Sequence, residues 1–201
     1  MTYGISRHLE ISGEYRDKLL RGEKRATIRV GRVRGARPGK VVYLHCGGYV
    51  YGKVRITNVR TKRVRELTDR DARLDGFENR EELIKALREH YPNLRDDDLV
   101  TIIEFEWVEK FDEPILSEHL PYDGHDPIEI AKRALEEDLP LSQRERELLE
   151  LLVECGSIRK AAKALGGLGH RDKIRRAVRK AYRLLKSRGL LEDEGTGSVK
   201  S

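Results

Sequence analysis

Within one short stretch, Gly22-Glu23-Lys24-Arg25-Ala26-Thr27-Ile28-Arg29, the chain brings together an ammonium, a hydroxyl and a guanidinium. Ammonium and guanidinium donors can hold a phosphate or a polarised carbonyl, and a threonine hydroxyl can orient a ligand or a water. The alternation of residues 26 to 30 puts Ala26, Ile28 and Val30 on one strand face. If that face enters the core, Thr27 and Arg29 project from the other, with Lys24 at the strand's mouth. The plainer alternative is an edge strand whose basic face is solvated.

A second concentration of cations lies near the C-terminus. In a helix over 172 to 188, Ile174, Ala177, Val178, Ala181 and Leu185 share one arc, and Arg175, Arg176, Arg179, Arg183 and Lys186 occupy the other. From Gly156 to Arg188 there are 12 basic residues against a single acid, Asp172. The order helix, turn at Gly156, Ala-Ala helix, glycine turn, basic helix resembles a helix-turn-helix DNA-binding domain with 172 to 188 as recognition helix. Its turn, Gly166 to Arg171, is longer than the three or four residues typical of that motif. Arg171 and Arg175, at the helix N-terminus, are placed to meet guanine edges, and Arg176, Arg179 and Arg183 to meet phosphates. The alternative is a structural bundle that dimerises or packs on the rest of the chain.

Two kinds of element must position these residues. In the first hundred residues, strands are predicted over 26–30, 41–46, 49–59 and 100–108. Short helices intervene: Glu14 to Arg21 stopped by Gly22, Asp69 to Leu74, and one after Asn79 with Glu82 as capping-box partner. Strands without regular βαβ alternation favour a small, partly open β-barrel. After Val108 the strand signals stop, and residues 109–126, with two prolines and many acids, read as a surface connection. Asp126-Pro127 then opens a helix to about Glu137, with Glu129 as capping-box partner; Ser142 with Glu145 caps another, to Glu154. Ser157 starts the next, and Gly189 closes the last. The expected fold class is α+β, in three parts: a barrel over 1–109, a connection and linker helix over 110–140, and a helical domain over 141–201.

Charge follows this division. Residues 1–63 hold 16 basic and 4 acidic side chains, 64–140 hold 10 and 23, and 141–191 hold 14 and 5, within a chain of 201 residues and net charge +6. Two basic blocks flanking an acidic one point to nucleic acid, RNA or DNA, as the partner. With 38% hydrophobic residues in periodic patterns, disorder is excluded. No segment has the ~20 apolar residues of a membrane span, and no secretory signal opens the chain, so a cytoplasmic protein is expected. The scarcity of Gln, Met and Asn beside abundant Arg, Lys and Glu matches heat-adapted proteins.

The residues Gly22-x-Lys24-x-x-Thr27-Ile28-Arg29 after a short helix resemble the signature of ASCH domains, relatives of PUA-like RNA-binding barrels. Asp71-Ala72-Arg73-Leu74-Asp75-Gly76-Phe77, the helix with Glu81-Glu82-Leu83, the Tyr91-Pro92 stop and the strand Val100 to Trp107 follow in the order such domains show. The resemblance covers about residues 3 to 109. It implies a β-barrel with a cleft lined by Lys24, Thr27, Arg29 and Asp75. Some members bind RNA or other nucleic acid in coactivator-like or translation-linked roles; some bacterial members resemble amidohydrolases that deacetylate acetylcytidine. In such a hydrolase Thr27 would be the nucleophile or position water, Lys24 would act as base or electrostatic stabiliser, and Asp75 would transfer a proton. The hydrolase pattern has Glu where Asp75 stands, and the missing methylene retracts the carboxylate by about an ångström.

Other signals read as structural. His119, Asp123, His125 and Asp126 lie in a Pro-Gly segment where Asp126 is a cap, so no metal is expected, nor any cofactor. Cys46 and Cys155 read as buried free thiols and His45 as a packing residue. Tyr49, Tyr51 and Trp107 are core candidates that would stack on bases only if they lined the cleft. The leading function is nucleic-acid binding through the cleft and the basic helix. The competing one is a small hydrolase of a modified nucleoside, and the third a protein-interaction module.

Overall fold

The computed structural model describes residues 3–4 and 7–191. It divides into two compact units, Met1–Pro114 and Ile115–Ser201. In the first, strands β1 (Tyr3–Gly4), β2 (His8–Ile11), β3 (Ala26–Val30), β4 (Val33–Arg34), β5 (Val41–Cys46), β6 (Tyr49–Arg63) and β7 (Leu99–Leu116) are joined by helices α1 (Arg16–Leu20), α2 (Asp69–Leu74) and α3 (Arg80–His90). Five strands form one sheet in the order β2-β5-β6-β7-β3, and β1 and β4 pair separately in parallel. β3 runs antiparallel to β7, from Ala26 opposite Glu104 to Val30 opposite Val100. Strand β2 runs parallel to β5, which is antiparallel to β6 with a bulge at Leu44/His45.

The expected barrel is not closed. Its two edge strands, four and five residues long, share no backbone ladder. A side chain bridges them instead: an Arg29 Nη2 hydrogen donates to the carbonyl of Glu10. The alternation read from the sequence holds on β3, where Ala26 and Ile28 enter a core with Val64, Leu83, Val100 and Ile102. A second cluster gathers Leu9, Ile11, Leu44, Val54, Ile56, Ile103 and Phe105.

Two strands outrun their predicted ends. β6 continues to Arg63, and β7 runs through Pro114 to Leu116, over residues expected to be surface connection. Pairing with β6 overrides local propensity: a Cβ at Gly52 would lie 2.1 Å from the Glu109 carbonyl oxygen, and Lys53 bridges Glu109 at 2.7 Å. Tyr122, in the same expected connection, is buried in the core of the second unit.

That unit comprises α4 (Pro127–Glu136), α5 (Gln143–Cys155), α6 (Ile158–Ala164) and α7 (Arg171–Ser187). The caps fall as the sequence indicates at Asp126, Ser142 with Glu145, Ser157 and Gly156, the last in the left-handed region. Two reciprocal capping contacts differ. Glu129 pairs with Lys132, and Glu82 accepts from Glu78 N rather than from Asn79 N. Ile130, Ala131 and Ala134 of α4, Leu149 and Leu152 of α5, Ala161 and Ala162 of α6, and the predicted apolar arc of α7 make one core. Small residues on α4, α6 and α7 let these helices approach closely. Leu190 and Leu191, which the sequence offers with Gly195–Gly197 as the start of a wing, pack on this core, and Gly195–Gly197 lies outside the described residues.

Candidate functional site

Helix α1 ends where Gly22 turns into the left-handed region at φ 77°, and the amides of Glu23 and Lys24 both return to the Lys18 carbonyl. Arg25 N then donates to the Leu74 carbonyl at 2.7 Å, laying this segment along the end of α2. Asp75 caps α2, and Gly76 follows at φ 88°. A side chain at Gly76 would press on Lys24 Cβ at 3.3 Å and Lys18 Cδ at 3.4 Å, so both the turn and the close approach require glycine. Lys18 Nζ closes the corner by donating to the Gly76 carbonyl at 2.7 Å.

Lys24 and Asp75 meet inside this corner. The ammonium touches Asp75 Oδ1, donates to the Asp75 carbonyl at 2.9 Å and sits 4.7 Å from the centre of the Tyr15 ring. The two residues are 3% and 5% exposed, so the pair is desolvated. Burial pushes the Asp75 carboxyl up to about 6, against the opposing pull of Lys24, Arg29 and Lys18. Burial likewise pushes the Tyr15 hydroxyl up to about 12, with Glu14, Asp75 and Glu89 adding to it.

A cavity of about 320 Å³ opens beside this pair. Lys24, Thr27, Arg29 and Asp75 are among its lining, and Tyr15, Phe77, His90 and Tyr91 contribute rings. Thr27 is buried, and among the described residues its hydroxyl has no hydrogen-bond partner. At the rim, His90 Nε2 lies 3.2 Å from Glu14 Oε1 and 3.5 Å from the Tyr15 hydroxyl.

The structure brings Lys24, Thr27, Arg29 and Asp75 to one cavity, in an arrangement that differs from the sequence reading at two of them. Lys24 is not a solvated cation at a strand's mouth but one half of a buried ion pair, because the chain folds its own carboxylate onto it. Arg29 spends a donor on the seam between β2 and β3. The ring-bearing side was not singled out by the sequence. Phe77 and Tyr91 stood in quoted motifs, but only the folded structure shows that they line the same cavity as Lys24. Tyr49, Tyr51 and Trp107 line no part of this cavity; Tyr51 and Trp107 pack on the second core cluster, and Tyr49 is exposed. His45 bonds His8 at 2.8 Å, Cys46 is buried and Cys155 half-buried. Among the described residues no cluster of His, Cys, Asp and Glu could hold a metal.

The arginines of α7 lie in the other unit. Arg171, Arg176, Arg179 and Arg183 are exposed and Arg175 is half-buried. Arg171, Arg176 and Arg183 bond backbone carbonyls of their own segment, and Arg175 lies 3.8 Å from Asp172. Arg179 hydrogen-bonds the buried Tyr122 hydroxyl, whose pKa burial raises. Two lysines of the helix are neutralised: Lys180 by Glu145 at 2.6 Å and Lys186 by Asp123 at 2.7 Å.

Residues 2–109, just over half of the chain, match the model of the ASCH domain. The chain belongs to the ASCH domain family. Among solved structures, an ASCH protein from Zymomonas mobilis is 12% identical, covering 72% of this chain and 92% of its own, with a TM-score of 0.45. An ASCH domain from Lactobacillus crispatus is 20% identical over 53% of this chain and 79% of its own, at a TM-score of 0.41. A protein from Enterococcus faecalis is 17% identical over 50% and 74%, also at 0.41. No curated protein is detectably similar in sequence. The ASCH match ends before the helical unit, and among the described residues no helix is long and apolar enough to cross a membrane.

Proposed function

We propose that this ASCH protein binds nucleic acid, taking a nucleotide-like group into the cleft of its first unit and a phosphate backbone on helix α7. The observation that carries the reading is a cavity whose lining joins aromatic rings to polar and basic groups. Tyr15, Phe77, His90 and Tyr91 contribute rings, while Thr27 and Arg29 offer an uncommitted hydroxyl and a guanidinium to the polar edge of a base or to a phosphate, with the Lys24–Asp75 pair beside them. Its volume is at the small end for ligand pockets and suits one nucleoside-sized group. On α7, Arg171, Arg175, Arg176, Arg179 and Arg183 line up with one acid among them, in a helix-turn-helix-like order of elements. A cytoplasmic regulator of transcription or translation fits this reading.

The test is the salt dependence of binding of a labelled oligonucleotide, duplex or single-stranded, to the intact protein. Affinity is expected to fall steeply between 50 and 200 mM salt, and Arg176→Ala with Arg179→Ala to reduce the log–log slope by about 1.4 to 1.8. Binding that ignores salt, or none at low salt, overturns the reading.

One observation favours a second reading, an amidohydrolase of a modified nucleoside such as acetylcytidine. Asp75 reaches Lys24 despite its shorter side chain, and its raised pKa suits a carboxyl that passes a proton near neutral pH. Thr27, with its free hydroxyl in the same cavity, is the candidate nucleophile. Release of cytidine from acetylcytidine, lost in Lys24→Ala, would select this reading; no release would leave the cleft as a binding site.

A further inference from the structure

A cavity for one nucleoside cannot hold a polymer, so a bound strand must continue over the outside of the first unit, where several cations are already neutralised. Arg60 and Lys62 bind the buried Asp71 at 3.0 and 2.7 Å, and Arg60 also binds Glu104 at 2.6 Å. Arg63 and Arg65 face Asp97. The loop Gly31–Lys40 is different. No acidic residue occurs between Glu23 and Glu66, and Arg32, Arg34 and Arg37 are exposed with no carboxylate partner among the described residues. The loop is held at both ends: Gly31 N donates to the Leu99 carbonyl, Thr101 Oγ1 donates to the Gly31 carbonyl, and Gly39 N donates to the Ile56 carbonyl, at 2.7 to 2.8 Å. Its cations therefore sit on a fixed scaffold.

The loop leads straight onto a row of rings. Tyr43 is three residues beyond Lys40, about 10 Å of extended chain. In register, Tyr43 has His8 on one side and Lys53 on the other. The His8 and Tyr43 rings stack at 6.1 Å with 24° between planes, and Lys53 Nζ lies 5.8 Å from the Tyr43 ring centre. These residues alternate with the buried Leu9, Val42, Leu44 and Val54, so they share the outward face, with the exposed Val41 and Arg55 as the next cross-strand pair. Lys53 and Arg55 touch Glu109 and Glu106, half-exposed contacts of a weak class. Strand β2 is common to both surfaces, since Ile11 and Ser12 at its end line the cavity while His8 looks outward.

We propose that this outward face and the Gly31–Lys40 loop form a strip for single-stranded nucleic acid, with bases stacking on Tyr43 and His8 and phosphates meeting Arg32, Arg34 and Arg37. The inference rests on the nucleic-acid reading above and names the strand's path outside the cleft. Stacking requires unpaired bases, so the strip discriminates against duplexes.

The experiment measures fluorescence anisotropy of the full chain with labelled 12-nucleotide oligouridylate, oligothymidylate and a 12-base-pair duplex. Tyr43→Ala with His8→Ala is expected to weaken both single strands about tenfold or more and to leave the duplex unchanged, whereas Tyr43→Phe keeps wild-type affinity. Arg32→Ala, Arg34→Ala and Arg37→Ala together are expected to lower the single-strand salt slope by about 2. Those three positions are exposed loop residues, so they keep the test informative if the ring variants fold poorly by Trp107 fluorescence. Wild-type single-strand affinity and slope in these variants overturn the strip, and the wider reading stands if cleft or α7 variants do weaken binding. No oligonucleotide binding by the wild type overturns both.

Discussion

The two ends of helix α2 each bury an aspartate, four residues apart, and treat it in opposite ways. Asp71, 1% exposed, accepts from Arg60, Lys62 and both the amide and the hydroxyl of Thr68. Burial raises its pKa, yet the donors from Lys62 and Thr68 outweigh that and hold it below the usual carboxylate range. Asp75, 5% exposed, has the single ammonium of Lys24, and there burial wins. The number of donors decides which effect dominates. It also separates a sealed structural site from one that faces a cavity with unsatisfied capacity.

The comparison can be broken most forcefully at Asp75. In Asp75→Asn the Lys24 ammonium stays buried with only a carbonyl and an amide as partners, so the first unit should lose about 3–5 kcal/mol. Trp107, the only tryptophan, lies in that unit and reports its urea unfolding. A loss below about 1 kcal/mol would mean that the pair is solvated. Asp71→Asn should cost less, about 1–3 kcal/mol, because Arg60 keeps Glu104 and Lys62 is 26% exposed. The same unfolding assay ranks the two, and the reverse order would contradict the assignment of roles.

The smallest effect is in the pH dependence, where the two signs oppose each other. Asp75 has a folded pKa of about 6 against 3.8 unfolded, so the stability tied to its proton is complete below pH 3.8 and lost as pH rises through 6. For Asp71 the folded value is depressed, so its contribution is present above 3.8 and lost as pH falls further. Wild-type stability minus that of Asp75→Asn should therefore decline between pH 4 and 6, whereas the same difference for Asp71→Asn should hold level there and fall only in stronger acid. A parallel course for both would show that donor number does not separate them.

These residues also mark what the sequence could and could not disclose. Lys24, Thr27 and Arg29 could be grouped because they stand within six residues of one another, whereas Asp75 joined them only through the resemblance to ASCH domains. That Lys24 is buried against Asp75 was not, since it depends on the Gly76 turn and the Arg25–Leu74 hydrogen bond, contacts some fifty residues apart in the chain. Helix caps at Asn79, Asp126, Ser142 and Ser157 were readable because a cap is settled within four residues. The ends of β6 and β7 were not, because the partner strand rather than the local residues sets them. Net charge misled in a similar way: a quarter of the first basic block, Lys53, Arg55, Arg60 and Lys62, is spent on Asp71, Glu104, Glu106 and Glu109, and only the distribution of partners shows that Arg32, Arg34 and Arg37 keep their charges while Lys180 and Lys186 of α7 do not.

The central claim is that the cleft and α7 receive nucleic acid, and the most direct measurement is a crystal structure of the intact protein soaked with a short RNA oligonucleotide and, separately, with cytidine. The account predicts a base in the cavity lined by Thr27, Arg29, Phe77 and Tyr91, with phosphates within hydrogen-bond reach of Arg176, Arg179 or Arg183. A cleft left empty at saturating ligand, with Lys24 still closed on Asp75 and no phosphate on α7, would contradict it.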